Sequence, residues 1–235
     1  MSCFVIAECG INWRDLVDAD QMIKAAAEAG ADAVKFQCYK PEFLELGYCV
    51  KTMDGTITQK IAAHARAKEL NNIALDESTI RYLYWRCQQH GIEFMCTPFY
   101  PEAVAMLNPY VKRWKVRHAD AGDWNIRRLC METGKETLVS VSSLPLERLE
   151  RENILYCCPE YPPKTSPSIG DVKGFDGYSC HIPCWRWPEQ MSSNIRYLEV
   201  HVRLDHYEPP HYCPIDTAVS ITMSELAELC RRLKQ

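Results

Sequence analysis

No apolar run in the 235-residue chain approaches the roughly 20 residues that a helix needs to cross a bilayer, so a helical membrane span is excluded. Charge of one sign is equally scarce: 27 basic side chains against 31 acidic ones leave a net charge of −4 and a pI near 6.0. That balance excludes a general attraction to nucleic acid or to an anionic membrane surface, although a local basic pocket still suits a phosphate. Paired Cys-x-x-Cys motifs are lacking despite 13 cysteines, which scatter along the chain. No signal peptide precedes the first strand pattern at Met1-Ser-Cys-Phe-Val5, so the cysteines read as reduced thiols of a soluble, cytoplasmic protein, with no membrane and no nucleic acid as partner. No internal repeat or flexible linker argues for a second domain, and one domain over 1–235 is expected.

What is present is a repeating alternation of apolar runs and amphipathic segments, with 47% hydrophobic residues to build one sizeable core. Ile6-Ala-Glu-Cys-Gly-Ile-Asn12 and Gly30-Ala-Asp-Ala-Val-Lys-Phe-Gln37 each read as a buried strand ending in polar residues, with a helix from Asp15 to Ala29 between them. A long polar insertion follows from Tyr39 to Ala74, then a helix from Asp76 to His90 that Gly91 stops. Further strands are predicted over Glu93–Cys96, Arg113–Val116, Thr137–Ser140, Ile154–Cys157, Gly177–Ser179 and Tyr197–His201. Helices are predicted over Pro101–Leu107, Asn125–Glu132 and Met223–Leu233. Eight strands in this order suggest a (β/α)8 TIM barrel. The connections Ser142–Glu152 and Pro162–Phe175 are too short or too proline-rich for full outer helices, so some are expected to be shortened or missing. An open α/β sheet shares the same alternation and is the alternative architecture.

The strand-end residues resemble consecutive signatures of the sialic acid synthase (N-acetylneuraminate synthase) family. The resemblance is carried by Ile6-Ala-Glu-Cys-Gly-Ile-Asn12, Gly30-Ala-Asp-Ala-Val-Lys-Phe-Gln37 and Cys96-Thr-Pro-Phe99, in order and spacing. It continues through Trp114-Lys-Val116, Leu138-Val-Ser140, Cys157-Cys-Pro-Glu-Tyr-Pro162, Gly177-Tyr-Ser-Cys-His181, Leu198-Glu-Val-His201 and Pro214-Ile-Asp216. Such a resemblance implies a TIM barrel that joins phosphoenolpyruvate to an amino sugar aldehyde, uses a divalent metal and releases phosphate. Manganese is the expected ion, with magnesium or cobalt as alternatives. The C-terminal antifreeze-like domain that many members carry has no counterpart in this sequence.

Lys35, Thr97, Lys115, Ser140 and Ser179 form a set suited to an anionic ligand: two ammonium groups supply charge and three hydroxyls supply directional donors. By resemblance they hold phosphoenolpyruvate, together with His118. Lys35 stands inside the apolar run Ala33-Val-Lys-Phe36, where an unpaired ammonium is costly to bury. His181 and His201 end the seventh and eighth strands, adjacent in a closed barrel, and are the expected metal ligands. The same resemblance implies Glu8 and Asp120 beside His181 and His201 at the reacting centre, and Asn12, Tyr161 and Asp216 on the sugar side. A rival reading takes Cys180, His181 and Cys184, with Cys157 and Cys158, as zinc ligands.

The chain departs from the family pattern at Trp13, His118, Val141-Ser142, Pro159 and Cys180. Cys180 stands where an aspartate precedes the metal histidine, and such a change commonly costs about 10–100-fold in metal affinity. Most changes fall on the acceptor side, which implies an altered aldehyde. Trp13, Trp185 and Trp187 read as packing residues before sugar platforms. Missing outer helices would leave strand surface uncovered and favour a homo-oligomer. A relative that binds phosphoenolpyruvate or a sugar phosphate without turnover is the second functional reading.

Overall fold

The computed structural model describes residues 3–40, 70–165, 167–186, 188, 195–207 and 215–234. Most of the predicted polar insertion, and Trp187, lie outside the described residues. Eight parallel strands form the barrel: β1 (Phe4–Gly10), β2 (Ala33–Cys38), β3 (Glu93–Pro98), β4 (Arg113–Val116), β5 (Glu136–Val141), β6 (Glu152–Cys157), β7 (Gly177–Cys180) and β8 (Tyr197–Arg203). The short β9 (Ile221–Thr222) pairs in parallel with the end of β8. Helices α1 (Leu16–Glu28), α2 (Glu77–His90), α3 (Pro101–Leu107), α4 (Trp124–Glu132) and α5 (Met223–Leu233) pack outside.

Pairing of β1 with β8, first strand against last, puts the strands in the cyclic order of a nearly closed barrel and not of the alternative open sheet. The ladder runs β3-β2-β1-β8-β7-β6-β5-β4, so the seam lies between β3 and β4. Side chains bridge that seam: Arg113 on β4 donates to both carboxylate oxygens of Glu93 on β3, at 2.8 and 3.2 Å. At the other end of β4 the Arg117 guanidinium lies 3.8 Å from the centre of the Phe99 ring.

Strand alternation sorts the side chains into two environments. Val5, Ala7, Val34, Phe36, Phe94, Trp114, Val139, Tyr178, Leu198 and Val200 face the helices and belong to the main core. Ile6, Ala33, Met95, Leu138, Leu155 and Tyr197 form a separate apolar layer inside the barrel. Two residues further along the same strands the inward positions turn polar, at Glu8, Lys35, Thr97, Ser140 and Glu199. The barrel is therefore sealed below and reactive above.

Local signals explain the helices. The Asp15 carboxylate caps α1 by accepting from the N–H groups of Val17 (2.9 Å) and Asp18 (3.0 Å). Asp76 caps α2 in the same way, and Gly91 at φ +67° ends it. Thr222 and Glu225 form a reciprocal capping box at the start of α5. The eleven described cysteines are free, and Cys9, Cys38, Cys87, Cys96, Cys130, Cys180 and Cys230 are core packing residues.

Among the described residues no helix separates β5 from β6 or β6 from β7, in line with the expected loss of outer helices. A buried ion pair holds the first of these connections. Arg127 of α4 donates to both Glu152 oxygens at 2.9 and 2.6 Å and to the carbonyl of Glu147 at 2.6 Å. Glu152 also accepts from the Leu149 N–H at 2.8 Å. Leu144 and Ile169, in the helix-free connections, are exposed.

Candidate active site

The C-terminal strand ends gather a ring of buried polar groups inside the barrel. Lys35 on β2 lies 2.5 Å from a carboxylate oxygen of Glu8 on β1 and donates to Thr97 Oγ1 on β3 at 3.0 Å. Lys115 on β4 donates to Ser140 Oγ on β5 at 2.7 Å. Ser179 on β7 donates to Glu199 on β8 at 2.7 Å. The Glu199 carboxylate in turn lies 3.6 Å from Lys35 and 3.8 Å from Lys115, so it stands between the two ammonium groups. Each of these seven side chains is buried. Gln37 donates to the second Glu8 oxygen at 2.7 Å.

Burial raises the Glu8 carboxyl, and neighbouring Glu199 adds to the effect while Lys35 opposes it; the group is pushed up to about 7. For Glu199 burial also raises, but Lys115 and Lys35 together outweigh it and hold the carboxylate ionised. Burial and the Lys35 charge push the Lys115 ammonium down, whereas Glu199 and Glu8 outweigh burial at Lys35 and keep it charged. The ring thus holds two cations, one firm anion and one carboxyl poised near neutrality.

Above the ring, His181 and His201 stand with ring centroids 5.1 Å apart, and the Tyr161 ring meets His181 edge-on at 4.8 Å. Burial lowers both imidazoles to about 3; the His201 charge adds to the effect at His181, and the two lysines add to it at His201. Both are neutral at pH 7 and carry lone pairs, and His201 Nδ1 is a buried nitrogen with no hydrogen-bond partner. This donor set fits a divalent ion at its imidazole side. Among the described residues no group of three or more His, Cys, Asp or Glu gathers as a complete metal site, so an ion there takes its remaining positions from water or substrate oxygens. The zinc reading fares worse, since Cys180 packs in the helix-facing core and among the described residues no three of these side chains gather around one point.

The other expected site residues fall in different places. Tyr161 donates to the Asp216 carboxylate at 2.6 Å, and Asp216 faces His201 Nδ1 at 3.7 Å, so these two reach the rim beside the histidines. His118 opens a short 3-10 turn after β4, where burial and nearby Lys115 lower its imidazole. Asp120 ends that turn and is clasped by Arg117 through both carboxylate oxygens, which pairs it with the rim and not with Glu8 or the histidines. Asn12 is wholly buried and bonded to protein groups alone, not presented as a rim contact. Trp13 packs edge-on against Phe36 at 6.0 Å and donates to the Gly10 carbonyl, a core position. Cys180 packs in the helix-facing core, and His181 Nδ1 meets the Cys157 thiol at 3.7 Å instead of a carboxylate. Sequence reasoning missed Glu199 and Gln37. Both were findable, since each lies two residues from a named inward-facing residue, His201 and Lys35.

Against known proteins, the model of the NeuB family matches residues 22–166, well over half of the chain. The chain belongs to the NeuB family. Among its NeuB-family relatives, the N,N'-diacetyllegionaminic acid synthase of Campylobacter jejuni is 26% identical over 260 residues, covering 98% of this chain and 75% of that protein. The enzyme of the same name from Legionella pneumophila is 31% identical over 154 residues, or 63% of this chain; the match spans 42% of the Legionella protein. The solved N-acetylneuraminic acid synthetase of Leptospira borgpetersenii superposes over the whole chain and 83% of its own, with a TM-score of 0.81 at 23% identity. That likeness confirms the barrel.

Proposed function

We propose that this NeuB-family chain condenses phosphoenolpyruvate with an N-acetylmannosamine-like sugar aldehyde to give a sialic acid, a related nonulosonic acid or another 2-keto acid, releasing phosphate. One observation carries the reading: Lys35 and Lys115, both buried, converge with Thr97, Ser140 and Ser179 at the strand ends of the barrel. Two enclosed ammonium groups with three hydroxyls match a phosphate and a carboxylate on one small molecule. The two relatives described above, both named N,N'-diacetyllegionaminic acid synthase, support the same substrate class.

In the reaction, the methylene carbon of phosphoenolpyruvate forms a bond to the aldehyde carbon, whose oxygen takes a proton. Water adds to the adjacent carbon, and phosphate leaves with its bridging oxygen. Lys35 and Lys115 neutralise the phosphoenolpyruvate charges, and the hydroxyls orient it. Glu8, poised near neutrality, holds the proton that the aldehyde oxygen takes and accepts one from the attacking water. His181 and His201 would hold a divalent ion, manganese first, and when bound that ion supplies Lewis acidity toward the aldehyde oxygen. Tyr161 and Asp216 face the sugar from the rim. Free thiols fit a cytoplasmic setting, and exposed Leu144 and Ile169 fit self-association.

Phosphate release from phosphoenolpyruvate tests the reading, with manganese and a panel of aldehyde sugars that includes N-acetylmannosamine. Release that needs one sugar and is lost in Lys35→Ala and His201→Ala supports it. Tight phosphoenolpyruvate binding with no release for any sugar favours the second reading, a binding relative, for which the Cys157 thiol at His181 Nδ1, with no carboxylate there among the described residues, is the supporting observation.

A further inference from the structure

Asn12 follows β1 and is wholly buried. Its amide nitrogen donates to the Val202 carbonyl at 2.9 Å and to Ser220 Oγ at 2.8 Å, while its amide oxygen accepts from the Asp216 N–H at 3.1 Å. Ser220 closes the ring by donating to the Asp216 carbonyl at 2.6 Å. Both amide hydrogens are therefore occupied within the chain. Val202 is the residue after His201, so one side chain fixes the end of β8 and the 3-10 turn Ile215–Val219 that carries Asp216.

Asp216 is aimed by that turn. One carboxylate oxygen accepts from Tyr161 at 2.6 Å, and the other faces His201 Nδ1 at 3.7 Å. His201 Nδ1 is buried and has no hydrogen-bond partner among the described residues, which on a polar ring atom calls for an acceptor or a donor close by. Gly10 borders the same Asp216 oxygen, where an added Cβ would stand in van der Waals contact at 3.4 Å.

We propose that Asn12 is a positioning residue that acts through Asp216 to hold His201 with its proton on Nδ1, so that Nε2 carries the lone pair. A carboxylate facing one ring nitrogen gives that nitrogen's proton a charged acceptor and so selects the tautomer. At 3.7 Å the carboxylate lies just beyond hydrogen-bond length and acts on the ring through its charge. Asn12 then shapes chemistry at the rim without touching a substrate. The inference rests on the reading of His201 as a working nitrogen donor, but its test needs no ion.

The experiment uses the full chain labelled with 15N-histidine, without added metal, and reads the two ring nitrogens of His201 in long-range 1H–15N spectra, with His201→Asn for assignment. The expected result is a protonated Nδ1 in the native chain and a mixture of tautomers in Asn12→Ala and Asp216→Ala. Trp13→Phe, which removes a core hydrogen bond next to Asn12 without touching Asp216, keeps the native pattern. Manganese alone, followed by the EPR signal of the free ion, should bind about 10–100-fold more weakly to the Asn12→Ala and Asp216→Ala chains. A His201 protonated on Nε2 in the native chain, or an unchanged tautomer in folded Asn12→Ala, overturns the proposal. Should Asn12→Ala fail to fold, Asp216→Ala decides alone, because it leaves the Asn12 bonds to Val202 and Ser220 in place. A native chain that shows the Nδ1 tautomer yet binds no manganese removes the metal reading and leaves the positioning role standing.

Discussion

The Glu199 carboxylate lies 3.8 Å from the Lys115 ammonium, joining the last barrel strand to the fourth across the interior. Glu199 is equally within reach of Lys35 at 3.6 Å, so one anion serves two cations that stand on opposite sides of it in the ring. A phosphate and a carboxylate arriving together therefore meet a site with a charge already balanced in part, and binding must draw the lysines away from Glu199. Neutralising Glu199 and removing a lysine consequently have opposite effects on an anionic ligand.

Lys35→Met and Lys115→Met should each weaken phosphoenolpyruvate binding by roughly 10–150-fold, the value of one charge-assisted contact of about 1.5–3 kcal/mol. Glu199→Gln should tighten inorganic phosphate while lowering turnover, since the freed ammonium groups hold any anion more firmly. Calorimetry with phosphoenolpyruvate and with inorganic phosphate checks both; weaker phosphate binding in Glu199→Gln would defeat the competition argument.

Glu8 gives a pH signature. Its carboxyl is raised from 4.5 to about 7 in the folded chain, so between those values the folded state keeps a proton that the unfolded chain has released. Its stabilising contribution is fully present below pH 4.5 and is lost as pH rises through 7. His181 and His201 act in the opposite sense: with folded values of about 3 against an ordinary 6.5, their contribution is present above 6.5 and lost as pH falls toward 3. Comparing Tm of the native chain and Glu8→Gln across this range isolates the first effect. The native chain should lose stability relative to the variant as pH rises from 4.5 to 7. A pH-independent difference would show that Glu8 is already ionised in the fold.

Much of this arrangement was legible in the sequence because it depends on local period. Alternation along Ile6 to Gly10 and Ala33 to Cys38 shows which residues face inward, and Gly30 and Gly91 mark the helix ends. The polar residues Glu8, Lys35, Thr97, Ser140 and Ser179 are marked by their place at strand ends and by the family resemblance, and the structure buries all five. What the sequence does not display is partnership between distant segments. Glu199 is one acidic residue in an apolar strand until β8 is placed beside β1 and across from Lys115. Asn12 looks like a rim residue until Val202, Ser220 and Asp216 close around it from the far end of the chain. The partner of Asp120 is hidden for a local reason: the 3-10 turn His118–Asp120 brings it back onto Arg117, three residues earlier.

Gly10 tests how tightly the rim is built. It sits at φ +48°, where a side chain costs about 1–2 kcal/mol, and an added Cβ would lie 3.0 Å from Glu8 and 3.1 Å from Gln37. Gly10→Ala should therefore lower Tm by a few degrees and lower turnover by more than tenfold, about the loss expected when a reacting group is displaced by a fraction of an ångström. Parallel measurement of kcat and Tm separates the two effects. Native turnover in the variant would mean that Glu8 and Gln37 yield without consequence and that their placement is not critical.

Arg127 and Glu152 hold the connection between β5 and β6 in place of an outer helix, and their removal should be felt as stability and not as chemistry. Arg127→Met leaves the buried Glu152 carboxylate with the Leu149 N–H as its remaining donor, and an uncompensated charge of this kind costs about 3–5 kcal/mol. Arg127→Met with Glu152→Leu removes both charges and should recover part of that loss, because the desolvation of the pair is removed together with its attraction. The Glu147 and Ala121 carbonyls lose the Arg127 guanidinium in either variant, so the recovery is incomplete. Urea unfolding of the two variants at pH 7 reads the difference directly. Equal losses in the single and double variants would show that Arg127 stabilises the connection through those carbonyls, with the ion pair contributing little.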